Sequence, residues 1–302
     1  MSVLAIIAAL LLEQWRPLGA RATFLAWLSE STSRIEKSFD AGAGRNGGIA
    51  WVVAVLPVVA AAIALHALLY SASSLLALLY HVGVLYLTLG FRQFSHTFTS
   101  LQLALKSGDL PRAQELIAGW RGEPTLARSR EEVVRLAVEE AVLASHRHVF
   151  GVIFWYVLLP GPSGAILYRL AAYLRRRWSR LGEFGGFAER AFHVLDWPAV
   201  RLTATAFAVV GDFEDAVYCW RTQARSWFDR NAGVLLAAAA GAMGLRLGMP
   251  VEEPGGVHPR PELGVGERAD VPFLDSTVGL LWRALVLWVF VLLLVSLARL
   301  LG

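Results

Sequence analysis

Two short stretches of the sequence place ionisable side chains beside or within apolar segments, and these residues are the candidates for chemistry. The set consists of Glu139, Glu140, Arg147, His148, His193, Asp196 and Arg201. A charge in such apolar surroundings costs free energy, so it is usually paired with another group or used for function. Two interpretations follow: an internal salt-bridge network that holds short helices together, or a pocket that binds a ligand.

Spacing along a helix indicates which of these side chains can act together. Glu140 and Arg147 are seven residues apart and lie on one side of a helix. His193 and Asp196 are three residues apart and share a helix face, which suits a metal-ligand or acid–base pair, or a polar pair at the membrane surface. Arg201 lies five residues after Asp196, a skewed spacing for a within-helix pair, so we expect each to have a partner elsewhere.

The sequence lacks the motifs that would indicate a cofactor or a metal ion. Residues 42–47 match the glycine pattern of dinucleotide-binding loops, but a membrane span follows them, so we interpret them as a flexible lead-in. No GxxxxGK[ST] or GxSxG motif is present. His146 and His148 point about 200° apart on a helix, and the single cysteine, Cys219, is expected to be a packed apolar side chain. We therefore predict no metal and no cofactor.

The composition is that of a membrane protein. Of the 302 residues, 56% are hydrophobic and only 17% are charged, whereas soluble proteins contain about 25% charged residues. The apolar content excludes a disordered chain, and the single cysteine excludes a disulfide-stapled secreted fold. Nearly all the basic residues are arginines that flank apolar segments. We therefore expect the lipid bilayer as a partner and exclude nucleic acid.

Three segments are predicted to cross the bilayer, because a helix needs about 20 apolar residues to span it. They are residues 49–70, 75–91 and 278–301. Residues 2–12 are shorter and lack the basic start and cleavage site of a signal peptide, so they are predicted to form an uncleaved anchor. Residues 198–211 and 232–249 are too short or too rich in small residues to be predicted as spans.

Residues 149–174 are long enough to cross the bilayer, but the sequence PGPSG at 160–164 divides them into two pieces of about half-membrane length. A single crossing would place the three arginines at 175–177 outside, against the positive-inside rule. We therefore predict a re-entrant hairpin that returns these arginines to the cytoplasm.

The orientation follows from the basic residues. The connection over residues 92–148 carries eight of them, whereas the turn over residues 71–74 carries no charge. Basic loops stay in the cytoplasm. The sequence therefore predicts a cytoplasmic excursion over 92–148 in a protein that crosses the membrane several times.

The excursion is predicted to be helical. Asp109 before Pro111 is typical of a helix start, and Ser129 with Glu132 has the spacing of a capping box. From Val133 onward, apolar residues recur at intervals of three and four. No alternating strand pattern of useful length is present. We predict an all-α, polytopic integral membrane fold with short or re-entrant helices, as a single domain over 1–302.

Six short sequences resemble those of one known family. They are GDLPRA at 108–113, AVEE at 137–140, VIFW at 152–155, GPSGAILYR at 161–169, NAG at 231–233 and GAMGLRLG at 241–248. They make the chain, over roughly residues 1–300, similar to the CobD/CbiB membrane proteins. These are adenosylcobinamide-phosphate synthases, which attach an aminopropanol-type amine to a corrinoid carboxylate.

Three stretches depart from the synthase pattern. Residues 143–147 read LASHR where the synthases carry Glu-Asn and a nearby Asp, and residues 172–175 read AYLR where they carry Asn-Thr-Leu-Asp. Phe192 and His193 stand in place of paired aspartates. The polar groups of the synthases that are missing from this sequence could bind a carboxylate, an amine, a metal ion or a nucleotide. By contrast, HVLDWPAVRL at 193–202 is similar to AmpE, an inner-membrane relative.

The resemblance thus implies an AmpE-like branch of the superfamily, a non-enzymatic, multi-pass protein of the bacterial inner membrane that acts as a sensor or signalling modulator in β-lactamase induction. It would bind a small-molecule ligand or a membrane partner protein through the candidate residues given above. The alternative is a CobD/CbiB-type synthase of cobalamin biosynthesis with a rebuilt site, which would need a corrinoid, ATP and Mg²⁺. The missing amide and acidic groups favour the first interpretation.

Overall fold

The computed structural model of the chain describes residues 2–15, 30, 32–39, 45–122, 127, 129–253 and 256–301. Nearly all of these residues are helical, which confirms the predicted all-α class. The chain forms two compact units, one of Met1–Arg92 with Arg147–Ala199 and one of Gln93–His146 with Val200–Gly302. The single domain over 1–302 stays a prediction, and residues 42–44 of the glycine-rich lead-in lie outside the described residues.

The helices are, in chain order, α1 (Ser2–Trp15), α2 (residues 32–39), α3 (Arg45–Ala72), α4 (Ser74–Thr88), α5 (Phe91–Lys106), α6 (Leu110–Arg121), α7 (Arg130–Ser145), α8 (Gly151–Leu158), α9 (Ser163–Trp178), α10 (Glu183–Val210), α11 (Phe213–Gln223), α12 (Arg230–Met243) and α13 (Pro272–Leu301). A π-helical turn, His146–Phe150, joins α7 to α8, and a 3-10 turn, Ala224–Ser226, follows α11. The strands are β1 (Leu247–Gly248), β2 (Val251–Glu253), β3 (Gly256–His258) and β4 (Glu262–Leu263).

The first unit is a bundle of apolar helices. α1 packs against α4, and α3 packs against both α4 and α9. Small residues such as Ala50 on α3 let Leu174 and Trp178 of α9 fill the core between them. At the end of α9, the Trp178 indole and the Arg177 guanidinium both donate to Glu36 of α2, over 2.9 and 2.5 Å. The hydrogen bond that Arg177 donates to Glu36 raises the pKa of the Arg177 guanidinium.

Three helical segments are long and apolar enough to cross a bilayer: Asn46–Ala72, Arg130–Leu158 and Pro272–Arg299. The first and third coincide with the predicted spans over 49–70 and 278–301. In the apolar 18-residue stretch of each of these two helices, only 17% and 22% of the stretch, respectively, is buried inside the protein. Because so much apolar surface is left uncovered by protein, these two helices need lipid around them.

The span predicted over 75–91 is shorter in the structure. α4 has 15 residues, about 22 Å of helix at 1.5 Å per residue, whereas the hydrocarbon core is about 30 Å thick. The helix ends because Leu89 is extended (φ −67°, ψ 151°) and Gly90 packs directly against the His148 imidazole. The new helix α5 then begins at Phe91.

α7 is covered by protein more extensively than the amphipathic helix expected inside the 92–148 excursion. Together with the π-helical turn and α8 it forms one helical run, Arg130–Leu158. In this run, 61% of the apolar 18-residue stretch is buried inside the protein, because α6, α12 and α13 pack against α7. A helix whose apolar residues are covered in this way belongs to the protein core. The cytoplasmic position of 92–148 stays a prediction.

The predicted interruption of 149–174 is present. α8 ends at Leu158 and α9 begins at Ser163, and the two helices pack against each other. Gly164 lies so close to the carbonyl oxygen of Trp155 that any side chain there would overlap it. The break therefore forms a tight helical hairpin, and its re-entry into the membrane stays a prediction.

The second unit is built around α12. Every residue of α12 from Asn231 to Ala242 is buried, and most of these are alanine or glycine. Their small side chains let α11 approach closely, and α7 and α13 also pack against α12. The small-residue stretch over 232–249 is therefore a buried helix followed by a short strand rather than a membrane span.

The four strands were not predicted from the sequence. β1 pairs antiparallel with β4, and β2 pairs antiparallel with β3. Each strand has only two or three residues, which is too short to produce an alternating pattern. These two pairings fold the segment between α12 and α13 back on itself, and β1 and β4 pack against α12 within the second unit.

Two predicted helix starts are confirmed. Asp109 caps α6 by accepting the Arg112 amide hydrogen over 3.0 Å. Ser129 and Glu132 form a capping box at the start of α7. Both caps satisfy amide groups that the first turn of a helix leaves without partners.

Candidate functional site

The Asp196 carboxylate lies in the interior of the first unit. Its Oδ1 accepts a hydrogen bond from the Tyr168 hydroxyl, with 2.7 Å between the oxygens. Asp196 is only 5% exposed, and Tyr168 is fully buried beside the Phe192 ring. Gly151 of α8 lies against the tyrosine ring, where any side chain would overlap it. Helices α8, α9 and α10 thus build a buried phenol–carboxylate pair.

Cationic groups act on this pair from the same unit. Arg147 and Arg169 both interact electrostatically with Tyr168. Arg169 also donates from Nη1 to Nδ1 of His148 over 3.0 Å. Because a guanidinium only donates, Nδ1 of His148 is the acceptor and the ring hydrogen lies on Nε2. Arg147 and His148 belong to the π-helical turn, a geometry that is frequent at functional sites.

Glu139 lies in the second unit and is buried on α7. Its Oε1 accepts the Gly248 amide hydrogen over 2.9 Å, and its Oε2 forms an ion pair with Arg260. The salt-bridge interpretation therefore holds for Glu139. Its partner, however, comes from the segment between β3 and β4 and was not in the predicted set.

Two arginines flank Glu139. Arg135 precedes it by one helical turn, is 4% exposed, and donates from Nη2 to the Pro250 carbonyl over 3.3 Å. The Arg260 guanidinium lies over the Trp227 ring, 4.7 Å from the ring centroid. The Nε atoms of both arginines are buried and have no hydrogen-bond partner among the described residues. Two cations therefore share one carboxylate.

The remaining members of the predicted set are half-buried. Glu140 follows Glu139 on α7, and Arg201 lies in the second part of α10; both belong to the second unit. His193 lies on α10 one turn before Asp196, in the first unit. The predicted set is thus divided between the two units, and its role as a binding site stays a prediction.

A hydrogen-bonded chain of three side chains lies in the first unit outside the predicted set. His81 has its Nδ1 2.7 Å from the Tyr156 hydroxyl and its Nε2 3.1 Å from Nδ1 of His66. The three residues come from α4, α8 and α3. Because they are separated by at least fifteen positions in the sequence, only helix packing brings them together.

Metal and thiol chemistry find little support in the part of the chain that the structure describes. There, no three His, Cys, Asp or Glu side chains come together as a metal site requires. Cys219 is fully buried on α11, and burial raises the pKa of its thiol to about 11. It is therefore protonated at neutral pH and packs as an apolar side chain, as predicted.

Three residues of these clusters were not among the candidates predicted from the sequence. Tyr168 lies inside the GPSGAILYR motif, so the family resemblance carried a signal for it. Arg135 is four residues before Glu139, a spacing that places both on one helix face and could have been noticed. Arg260 had no local signal, because 121 residues separate it from Glu139.

Comparison with known proteins identifies a family. Residues 3–281 match the CobD/Cbib protein family. A cobalamin biosynthesis protein CobD of Stutzerimonas stutzeri is 35% identical over 298 residues, which cover 96% of each chain. A protein of the same name from Chromobacterium violaceum is 34% identical over 218 residues, covering 71% of this chain and 70% of the relative. No solved structure matches the chain.

These relatives correct the functional prediction. The AmpE-like interpretation, with its sensor role in β-lactamase induction, is wrong, because relatives named for cobalamin biosynthesis match most or nearly all of the chain. The likeness to AmpE was carried by the short run at 193–202, whereas the match to the Stutzerimonas protein extends over 298 residues. The chain belongs to the CobD/Cbib protein family.

Proposed function

We propose that this chain is an enzyme of cobalamin biosynthesis that joins the amine of an amino alcohol to a corrinoid carboxylate. The observation that carries the proposal is the 35% identity, over 96% of both chains, to a relative named cobalamin biosynthesis protein CobD. Amide formation is the reaction that the resemblance to the adenosylcobinamide-phosphate synthases implies. The substrates are therefore a corrinoid and an aminopropanol-type amine.

We assign the amine to Asp196. An aliphatic amine is protonated at neutral pH and must lose a proton before its nitrogen can attack a carboxyl carbon. A carboxylate within hydrogen-bond reach can hold the ammonium group and accept that proton. Tyr168 supports this assignment because its hydroxyl fixes the orientation of Asp196.

The departure from the synthase pattern at Phe192 and His193 is consistent with this assignment. Asp196 follows Phe192 by four residues and lies on the same face of α10. Phe192 itself packs against the Tyr168 ring, 5.5 Å between centroids. A carboxylate is thus available one helical turn from the position of the missing aspartates, which supports a displaced site rather than a lost one.

Amide formation also requires that the corrinoid carboxylate be activated, which a nucleotide with Mg²⁺ would supply. Mg²⁺ is bound by oxygen ligands such as carboxylates. The described residues do not bring three such side chains together. Mg²⁺ that binds together with a nucleotide takes only one or two carboxylates from the protein, and we assign no step to a metal ion or a nucleotide.

We also propose that the protein is a multi-pass protein of the bacterial inner membrane with residues 92–148 in the cytoplasm. The uncovered apolar surfaces of Asn46–Ala72 and Pro272–Arg299 support the membrane location. The eight basic residues of 92–148 support the orientation. A reporter enzyme fused at about residue 120 is expected to be active in the cytoplasm, and activity outside would contradict this orientation.

Growth of a bacterial strain that lacks its adenosylcobinamide-phosphate synthase tests the proposed function. We expect the chain to restore cobalamin-dependent growth and Asp196→Asn to abolish most of this rescue. Glu189→Gln, an exposed change on the same helix, is the matched control and should rescue fully. The amount of each variant in the membrane fraction is measured alongside.

The two parts of the proposal fail separately. If the unmodified chain is present in the membrane and does not restore growth, the enzymatic function is contradicted. If the unmodified chain and Asp196→Asn restore growth equally, the function stands and the assignment of the amine to Asp196 is wrong.

A further inference from the structure

Two arginines of the second unit, the buried Arg135 and the half-buried Arg260, lie near the buried Glu139 carboxylate. Arg135 and Glu139 lie on one face of α7, and Arg260 reaches the same carboxylate from the segment between β3 and β4. Arg135 is attracted by Glu139 and repelled by Arg260. Glu131 and Glu132, half-buried in the first turn of α7, also attract Arg135, but more weakly than Glu139. Of these three carboxylates only Glu139 is buried with Arg135.

The cluster has fewer hydrogen-bond acceptors than donors. Both oxygens of Glu139 are already used, one by the Gly248 amide and one by Arg260. Arg135 donates to the Pro250 carbonyl, which is a neutral acceptor. The Nε–H groups of Arg135 and Arg260 are buried and unpartnered within the described part of the chain. Buried donors without acceptors are uncommon in native proteins and require an explanation.

The backbone beside the cluster is held in an unfavourable conformation. Met249 has φ 65°, the only positive φ outside glycine among the described residues. It lies between Gly248, which donates to Glu139, and Pro250, which accepts from Arg135. A left-handed backbone at a residue with a side chain costs free energy and tends to occur at functional sites.

Aromatic packing fixes one of the two cations. The Trp227 ring is 5% exposed and lies 4.7 Å from the Arg260 guanidinium, a cation–π contact. Arg260 is therefore held by this ring and by Glu139 before any ligand arrives. Ordered donors of this kind bind a ligand with little further loss of side-chain freedom.

We propose that Arg135 and Arg260 form a binding site for an oxyanion, the carboxylate or phosphate group of a small molecule. A guanidinium presents its Nε–H and one Nη–H as a fork that matches two oxygens of such a group. One bound oxyanion would supply the missing hydrogen-bond acceptors. The site is inferred from the charges and hydrogen bonds of the second unit alone, so it does not depend on the proposed amide-forming reaction.

The site is tested by thermal unfolding of the full chain in a neutral detergent, with inorganic phosphate and acetate as probes. Sodium chloride at the same ionic strength measures the contribution of general screening. We expect one of the two anions to raise the unfolding temperature in a saturable way beyond chloride, since a ligand of the folded state stabilises it. A larger effect of phosphate identifies a phosphate-bearing ligand, and a larger effect of acetate identifies a carboxylate.

Three variants connect the binding to these residues. Arg260→Lys keeps the positive charge but removes the fork, so the Kd of the preferred anion should rise about tenfold. Arg268→Lys, at an exposed position before α13, is the matched control and should bind as the unmodified chain does. Glu139→Gln removes the carboxylate that competes for the two cations, so the anion should bind more tightly.

Two results would overturn the proposal: no saturable effect of either anion beyond chloride, or equal anion affinity of Arg260→Lys and the unmodified chain. If Arg260→Lys does not fold, Glu139→Gln decides, and unchanged or weaker binding there also overturns the proposal. None of these measurements involves corrinoid chemistry. A failed anion site and a failed synthase function are therefore distinct outcomes.

Discussion

The Tyr168 hydroxyl and the Asp196 carboxylate are 28 residues apart in the sequence and form a buried hydrogen bond of 2.7 Å. The bond joins α9 to α10 within the first unit. Because both side chains are almost inaccessible to water, the phenol supplies a contact that solvent cannot replace. The pair thus contributes to the stability of the unit and to the geometry of the proposed amine site.

Removal of this hydroxyl is expected to affect both properties. Tyr168→Phe should lower the free energy of unfolding by about 1–3 kcal/mol, because it removes a hydrogen-bond donor to the buried Asp196 carboxylate. It should also reduce cobalamin-dependent growth in the complementation assay. Tyr218→Phe, at an exposed position of α11, removes a hydroxyl of the same kind and serves as control. Identical behaviour of the two variants would show that the hydrogen bond matters for neither property.

The ion pair between Glu139 and Arg260 should be strongly coupled. Arg260→Met should lower the free energy of unfolding by about 3–5 kcal/mol, because it removes the ion-pair partner of a buried carboxylate. The further change Glu139→Met should cost less in that background than it does alone. A double-mutant cycle from equilibrium unfolding in detergent measures the coupling. Arg34→Met, which removes an exposed ion pair with Glu30, should cost only about 0–1 kcal/mol.

Strictly additive effects of the Glu139 and Arg260 substitutions would contradict the coupling. The Arg34 control separates the loss of a buried partner from the general effect of replacing an arginine by methionine. Both experiments use the same denaturant and detergent, so their free energies can be compared directly.

The tight hairpin between α8 and α9 should not tolerate a side chain at Gly164. Gly164→Ala places a methyl group against the Trp155 carbonyl and must push the two helices apart. We expect a loss of about 1–3 kcal/mol, typical of overpacking. Gly186→Ala, on α10, adds the same methyl group where no atom lies within 4 Å and should stabilise the helix by about 0.5–1 kcal/mol. Thermal unfolding of both variants gives the comparison, and a loss at Gly186 as large as at Gly164 would contradict the steric explanation.

The single thiol should be unreactive in the folded protein at neutral pH. Burial raises the pKa of Cys219 to about 11, and only the thiolate reacts with alkylating agents. The iodoacetamide reaction, followed by mass spectrometry, should therefore be slow at pH 8 and accelerate up to about pH 11. The thiol of the unfolded chain ionises at a lower pH, so ionisation favours the unfolded state at alkaline pH. The contribution of Cys219 to the free energy of unfolding is therefore complete below about pH 9 and is lost as the pH rises towards 11. Equal alkylation rates of native and denatured protein at pH 8 would contradict the burial of Cys219.

Local features of the fold were predictable from the sequence. The caps at Asp109 and Ser129 are determined by residues within one helical turn. The spans over 49–70 and 278–301 follow from apolar length alone. The span over 75–91 was overestimated, because an apolar run does not reveal that α4 ends where Gly90 must pack against His148.

The candidate site was less predictable, because its contacts join distant parts of the chain. Glu139 and Asp196 were identified as buried charges, but their partners Arg260 and Tyr168 depend on how helices and short strands pack. The functional error has a related cause. The absence of aspartates at the positions of Phe192 and His193 was interpreted as loss of chemistry, although Asp196 provides a carboxylate one turn later.

The chain of His66, His81 and Tyr156 has a consequence for how its hydrogens are arranged. A neutral imidazole carries one hydrogen, so His81 donates from one nitrogen and accepts at the other. When Tyr156 donates to Nδ1 of His81, Nε2 of His81 donates to His66; when His66 donates to Nε2, His81 donates to the tyrosine oxygen. When the three side chains are neutral, their two hydrogen bonds can therefore run in either of two directions. A change of tautomer at His81 reverses both hydrogen bonds at once.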